Sequence, residues 1–129
     1  MKILVAAEAA WVRDLVRTAF IGAGQEVIAC DRGQAVRDLV ATHAPDLVIL
    51  DMQIANMGGI AVAIDLRLEA EAGRVPSTAI VLLLDREADR HLGRRADADE
   101  MLCKPVDAGV LRRCAQRLLT ARADRPVWS

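Results

Sequence analysis

The stretch Pro45-Asp46-Leu47-Val48-Ile49-Leu50-Asp51-Met52 decides how this chain folds. An unbroken apolar run ends in a carboxylate, and loop material follows at once. A run this short and this apolar, with Pro45 before it and Gly58-Gly59 after it, reads as a parallel strand buried on both faces. Asp51 then stands at the carboxyl end of that strand. In an open α/β sheet this edge is where ligands and chemistry gather. Two readings of Asp51 stay open at this point. It is an acid that binds a metal or accepts a phosphoryl group, or it is a loop-facing residue that caps the next turn.

Outward from this strand the chain alternates. Ile3-Leu4-Val5-Ala6 is another apolar run and predicts a strand, followed by a loop carrying Glu8. Over residues 11–23, Val12, Leu15, Val16, Ala19 and Phe20 recur at helical spacing, and Gly22 and Gly24 end the helix. Residues 26–29 predict the next strand, and Asp31-Arg32-Gly33 turns the chain. An amphipathic helix over residues 34–42 cannot continue past Pro45. Gly58-Gly59 opens a third helix, with Ile60, Ala63, Ile64, Arg67 and Leu68 expected on its buried face and Gly73 and Pro76 at its end. Ala79-Ile80-Val81-Leu82-Leu83-Leu84 is a fourth strand. Residues 85–100 hold Leu92 and Gly93 amid charges, so a helix there has little face to bury and is expected to be marginal. Met101-Leu102-Cys103 gives a short fifth strand ending at Lys104-Pro105. A last helix over residues 107–121 places Val110, Leu111, Cys114 and Leu118 inward, with Asp107 as N-cap. Crossovers of this length suit parallel strands, with helices on both faces of the sheet.

The 129 residues suit one domain over residues 1–123, with a short flexible tail at 124–129 and nothing left over for an output domain. With 53% apolar and 27% charged residues, the composition is that of a globular domain. A net charge of −1 argues against nucleic acid as an obligatory partner. No apolar run approaches the roughly 20 residues of a membrane span. Met1-Lys2-Ile3-Leu4-Val5 reads as a strand and is too short for a secretion signal, so a cytoplasmic location is expected. Cys30, Cys103 and Cys114 are odd in number and widely spaced, as reduced thiols are, and with His43 and His91 they show no metal-ligand spacing. Gly22-Ala23-Gly24 closes a helix instead of opening one, so it is no dinucleotide fingerprint. The abundance of Ala and Arg points to a GC-rich bacterial genome. Trp11 is expected to pack on its helix, with shielding of the neighbouring strand ends as the alternative. Trp128 reads as a disordered tail residue or as a contact for a partner.

Glu8, Asp51 and Lys104 each follow a predicted strand, and parallel strands put all three on one edge. Two carboxylates facing each other repel unless a cation lies between them. A hard divalent ion with oxygen ligands, Mg²⁺ first, fits that place. A lysine is a point charge suited to a phosphoryl oxygen, and aspartate can act as the nucleophile in phosphoryl transfer. An ordinary salt-bridged rim is the competing account.

With these residues in view, the chain resembles a response-regulator receiver domain of bacterial two-component signalling. The resemblance covers residues 2–121. It rests on Lys2-Ile3-Leu4-Val5, on Pro45 through Asp51, on Met57-Gly58-Gly59 and on Lys104-Pro105. It implies a flavodoxin-like (βα)5 doubly wound parallel sheet with strand order 2-1-3-4-5. It implies that Asp51 is the phosphoacceptor and that Lys104 contacts the phosphoryl group. Glu8, Asp51 and the backbone carbonyl of Gln53 would hold Mg²⁺, and the Lys104–Pro105 peptide would be cis. The implied partners are a histidine kinase or phosphotransfer protein and an unidentified effector protein. Such a chain would act by protein–protein contact as a monomer or weak homodimer, without direct DNA binding or membrane insertion. It would not be an enzyme, beyond self-phosphorylation and dephosphorylation on Asp51.

The departures from the family pattern bear on the switch. Ala7 replaces the first of two adjacent acids, and Glu8 is one methylene longer than the usual Asp, so Mg²⁺ binding should weaken. Leu84 stands where the family has a Ser or Thr hydroxyl, Asp85 where a small residue is usual, and Met101 where an aromatic switch residue sits. A hydrogen bond to a charged group contributes roughly 1.5–3 kcal/mol, and throwing a two-state switch fully needs about 5.5 kcal/mol. Losing the hydroxyl therefore removes a large share of the drive. Arg86, Arg90, Arg94, Arg95, Arg112, Arg113 and Arg117 are expected near the fourth and fifth helices, as a basic face for an acidic partner or as solvated surface. Two functions follow: a stand-alone phosphoacceptor with an impaired switch, or a pseudo-receiver interaction module indifferent to phosphorylation.

Overall fold

The computed structural model describes residues 1–22 and 24–123. The tail, and with it Trp128, lies outside the described residues. Five strands form one parallel sheet: β1 (Lys2–Ala6), β2 (Glu26–Cys30), β3 (Leu47–Asp51), β4 (Ala79–Leu84) and β5 (Glu100–Cys103). Their order is β2-β1-β3-β4-β5, as the resemblance implies. Helices α1 (Ala10–Phe20), α2 (Val36–His43), α3 (Gly59–Glu71), α4 (Arg90–Arg95) and α5 (Ala108–Ala123) connect and follow them.

Side-chain parity on the central strands builds two cores. Ile3, Val5, Leu47, Ile49, Val81 and Leu83 face α1 and α5, where they meet Val12, Val16, Phe20, Leu111 and Cys114. Leu4, Ala6, Val48, Leu50, Ile80, Leu82 and Leu84 face α2 and α3, where they meet Val36, Val40, Val62 and Leu66. Every residue of β3 and of β4 is buried, which is why both read as unbroken apolar runs.

The ends of the helices follow local chemistry. Ala44 adopts a left-handed conformation (φ 47°) after α2, and Pro45 follows it. The Val110 amide donates to Asp107 Oδ1 at 2.8 Å, the cap expected for α5. The second helical segment begins as a 3-10 turn at Gly33–Ala35. The weak segment after β4 forms a 3-10 turn (Glu87–Asp89) and then the six-residue α4, of which only Gly93 is buried. A side chain at that glycine would push the flexible Met101 side chain aside. A Cβ on it would lie 2.1 Å from Met101 Sδ, so its absence lets α4 rest on β5.

The buried face of α3 differs from the expected one. Ile64 is 42% exposed and Leu68 58% exposed, while Val62, Ala63, Leu66 and Glu69 point inward. This helix is apolar on nearly every side, so periodicity alone does not choose a face. Two contacts choose it. Glu69 accepts from Arg74 Nε at 2.6 Å and Nη2 at 3.0 Å, which lets a carboxylate take an inward position. Gly59 starts the helix against β3, where a Cβ would lie 2.2 Å from the Asp51 carbonyl oxygen. Gly59→Ala should therefore push on the backbone of Asp51 and lower stability by about 1–3 kcal/mol. Urea denaturation measures this; an unchanged midpoint would show that the loop yields freely.

Candidate functional site

The sheet order brings the carboxyl ends of β1, β3, β4 and β5 to one edge. Asp51 closes β3 and is 1% exposed. Lys104 follows β5, and its amide donates to the Leu84 carbonyl at 2.8 Å, which fixes it beside the end of β4. The Lys104–Pro105 peptide is cis, as the resemblance implies. From this position Lys104 Nζ donates to Asp51 Oδ1 at 2.5 Å and to Asp85 Oδ1 at 2.8 Å. Asp85 Oδ2 accepts from Gln53 Nε2 at 3.2 Å. One ammonium thus serves two carboxylates, and one of these is also held by an amide from the β3–α3 loop.

The charges respond to this arrangement. Burial works against the Lys104 ammonium, but hydrogen bonds and attraction from Asp51 and Asp85 outweigh it and hold its pKa above the ordinary lysine value. The hydrogen bond from Lys104, opposed by burial and helped by Gln53, holds the Asp85 carboxyl below the usual carboxylate range. Trp11 is 59% exposed. Its ring lies beneath Lys104 Nζ, 5.8 Å from nitrogen to centroid, at cation–π range. Trp11 therefore flanks the site, contrary to the expectation that it packs on its helix.

Glu8 joins the edge through its backbone. Its amide donates to the Gln53 carbonyl at 3.0 Å. Arg13 Nη1 donates to the Ala7 carbonyl at 2.7 Å and the Glu8 carbonyl at 2.8 Å, which secures the β1–α1 loop. Among the described residues, no three His, Cys, Asp or Glu side chains converge to hold a metal ion. Ala7, at the place of the missing acid, is fully buried. The hard oxygen donors available at this edge are Asp51, the Gln53 carbonyl and Glu8, the groups that would hold Mg²⁺. That set suits Mg²⁺, which keeps several waters and takes only one or two carboxylates. The Gln53 carbonyl spends one of its two lone pairs on Glu8.

Leu84 is fully buried in the α2/α3 core, with Met101 packed against the same cluster. Neither offers a hydroxyl to the edge. The expected basic face is divided. Arg86 pairs with Asp89 at 3.3 Å and Arg117 with Glu100 at 3.2 Å, and Arg90 pairs with Glu87. Arg112 turns toward α1 and donates to the Ala19 carbonyl at 3.2 Å. Burial, reinforced by Glu87, pushes the Cys103 thiol up, so the neighbouring lysine does not activate it.

The sequence places Asp51, Lys104 and Glu8 on this edge, and the resemblance adds the Gln53 carbonyl. Neither points to the Gln53 side chain, the Arg13 clasp or the tie between Asp85 and Lys104. Arg13 carried a usable signal, a cation one turn into the helix that leaves a strand end.

A buried acid on the central strand facing a lysine from the last strand, on a five-stranded 2-1-3-4-5 sheet, defines a doubly wound α/β domain with its charged groups gathered at the carboxyl ends of the strands. The response regulator receiver domain family model matches residues 3–116, and the chain belongs to that family. The chain is 31% identical to Protein PilH of Pseudomonas aeruginosa, over 68% of this chain and 72% of that protein. It is 30% identical to the probable transcriptional regulator ycf27 of Porphyra purpurea, over 96% of this chain and 49% of that protein. It thus spans about half the length of its ycf27 relatives. The receiver domain of the sensor histidine kinase PA1611 from Pseudomonas aeruginosa matches in fold, with a TM-score of 0.79 at 19% identity over 92% of this chain and 97% of that one. That structure is described with a magnesium ion coordinated in the active site cleft.

The depressed Asp85 pKa sets a sign for pH dependence. Its folded value lies below its unfolded one, so its share of stability is complete at neutral pH and fades as pH falls through the folded value. The gap in urea midpoint between wild type and Asp85→Asn should be present at neutral pH and should close below about pH 4. A gap that persists unchanged into acid contradicts the pairing.

Proposed function

We propose that this chain is a phosphoacceptor of two-component signalling in which Asp51 takes a phosphoryl group from a histidine kinase or phosphotransfer protein. The observation that carries the reading is the 2.5 Å contact between Lys104 Nζ and the buried Asp51 carboxylate. Asp51 is the nucleophile. Lys104 holds it in place before transfer and neutralises a phosphoryl oxygen after it. Glu8, Asp51 and the Gln53 carbonyl would hold Mg²⁺, which in such sites neutralises charge on phosphoryl oxygens. With Ala7 apolar, affinity for the ion should be low. No separate substrate is turned over, so the chain is a signalling element and not an enzyme.

The response to phosphorylation is atypical in this reading. Leu84 and Met101 lack the hydroxyl and the aromatic ring of the family pattern, so that coupling is unavailable. Output would pass by contact with an effector protein in the cytoplasm. No helix among the described residues is long and apolar enough to cross a membrane. The transcriptional role in the ycf27 names belongs to those proteins, of which this chain spans about half.

A second reading, a pseudo-receiver that works without phosphorylation, is favoured by one observation. Lys104 is already shared with Asp85. Incubation with Mg²⁺ and acetyl phosphate followed by intact mass separates the two. The first reading expects an adduct of one phosphoryl unit that is absent in Asp51→Asn. No adduct on the wild type, at any Mg²⁺ concentration, would leave the second.

A further inference from the structure

We infer that Asp85 is a resident anion on Lys104, a positioning residue that competes with the phosphoryl group for the lysine and that phosphorylation drives outward. The inference rests on Asp51 being the phosphoacceptor. It deepens that reading by naming what replaces the missing hydroxyl coupling.

The geometry is specific. Asp85 is the first residue past β4, and both its oxygens are engaged, Oδ1 by Lys104 at 2.8 Å and Oδ2 by Gln53 at 3.2 Å. A lysine ammonium has three donors. Two of these reach Asp51 and Asp85, and the Trp11 ring flanks the group. A phosphoryl group entering on Asp51 needs a Lys104 donor, and it brings a charge of about −1.5 to −2 beside Asp85. Two anions on one ammonium repel. The phosphoryl group is then covalently fixed to a buried residue, and Asp85 is the partner free to leave. Its side chain is 36% exposed, against 1% for Asp51.

The backbone tells what moves. Leu84, immediately before Asp85, is fully buried and cannot follow. Downstream lie Arg86, the Glu87–Asp89 turn and the six-residue α4, a short charged segment. Within it Asp89 and Gly93 are buried, and Arg90 Nη1 donates to the Met101 carbonyl at 3.3 Å. Release of Asp85 therefore hinges at the Leu84–Asp85 junction and displaces this segment. Where a hydroxyl would be drawn inward, a carboxylate is pushed outward. The same contact slows the first step, because an ammonium already neutralised by Asp85 offers less charge to the incoming phosphoryl group.

The test uses the full chain, Mg²⁺ and acetyl phosphate, a small acyl phosphate. In the step followed, an Asp51 oxygen forms a bond to phosphorus while the phosphorus–oxygen bond to acetate breaks. Acetate leaves with the electron pair. The rate of adduct formation is read by intact mass for wild type, Asp85→Ala, Asp85→Asn and Asp85→Glu. Loss of a charged competitor should speed Asp85→Ala and Asp85→Asn by about tenfold, and Asp85→Glu should return the slow rate. Amide NMR signals of residues 86–95 should shift on phosphorylation of the wild type and stay in place in phosphorylated Asp85→Ala. If Ala at this position fails to fold, the near-isosteric Asn variant carries the comparison. Equal or slower adduct formation in the neutral variants overturns the inference and leaves the phosphoacceptor reading standing. So does a shift of residues 86–95 that persists without Asp85. Adduct in none of the four proteins overturns both.

Discussion

One ammonium, that of Lys104, lies between two carboxylates, and the rest of the edge is arranged around that contact. Asp51 is too deeply buried to lack a partner, since an isolated charge taken out of water costs several kcal/mol. Its partner comes from β5, two strands away, and reaches it across the end of β4, where the Lys104 amide is held by the Leu84 carbonyl. β4 carries its own acid, Asp85, into the same reach. The strand order therefore gathers both acids on the one lysine.

The supporting structure holds these groups at fixed positions. Both faces of β3 and β4 are covered by helices, so Asp51 and Leu84 sit on strands with little freedom. Gly59 brings α3 against the Asp51 carbonyl, and Gly93 lets α4 lie on Met101. By contrast, the segment from Asp85 to α4 is short, charged and anchored at few points. Rigidity and looseness meet at the Leu84–Asp85 junction, next to the lysine.

Much of this was legible in the sequence. The apolar runs of β3 and β4 announced doubly covered parallel strands, and the charge-rich stretch after β4 announced a poor helix. Asp51 and Lys104 stood out because each ends such a run. The face of α3 was not legible: Ile64 and Leu68 are as apolar as Val62 and Leu66, and the choice depends on Glu69 meeting Arg74. The link from Asp85 to Lys104 and Gln53 was not legible either. It joins residues 19 and 32 positions apart, and no local periodicity encodes such a contact. The position of Trp11 under the lysine was open for the same reason. Seven arginines looked like one basic face, yet several are spent on Asp89, Glu87, Glu100 and the Ala19 carbonyl.

The shared lysine is open to direct observation by heteronuclear NMR of the Lys104 side-chain ammonium. The account predicts a resolved signal, its proton exchange slowed by two carboxylate partners, that moves in both Asp51→Asn and Asp85→Asn. A rapidly exchanging signal of a free surface lysine, unmoved by either substitution, would contradict it.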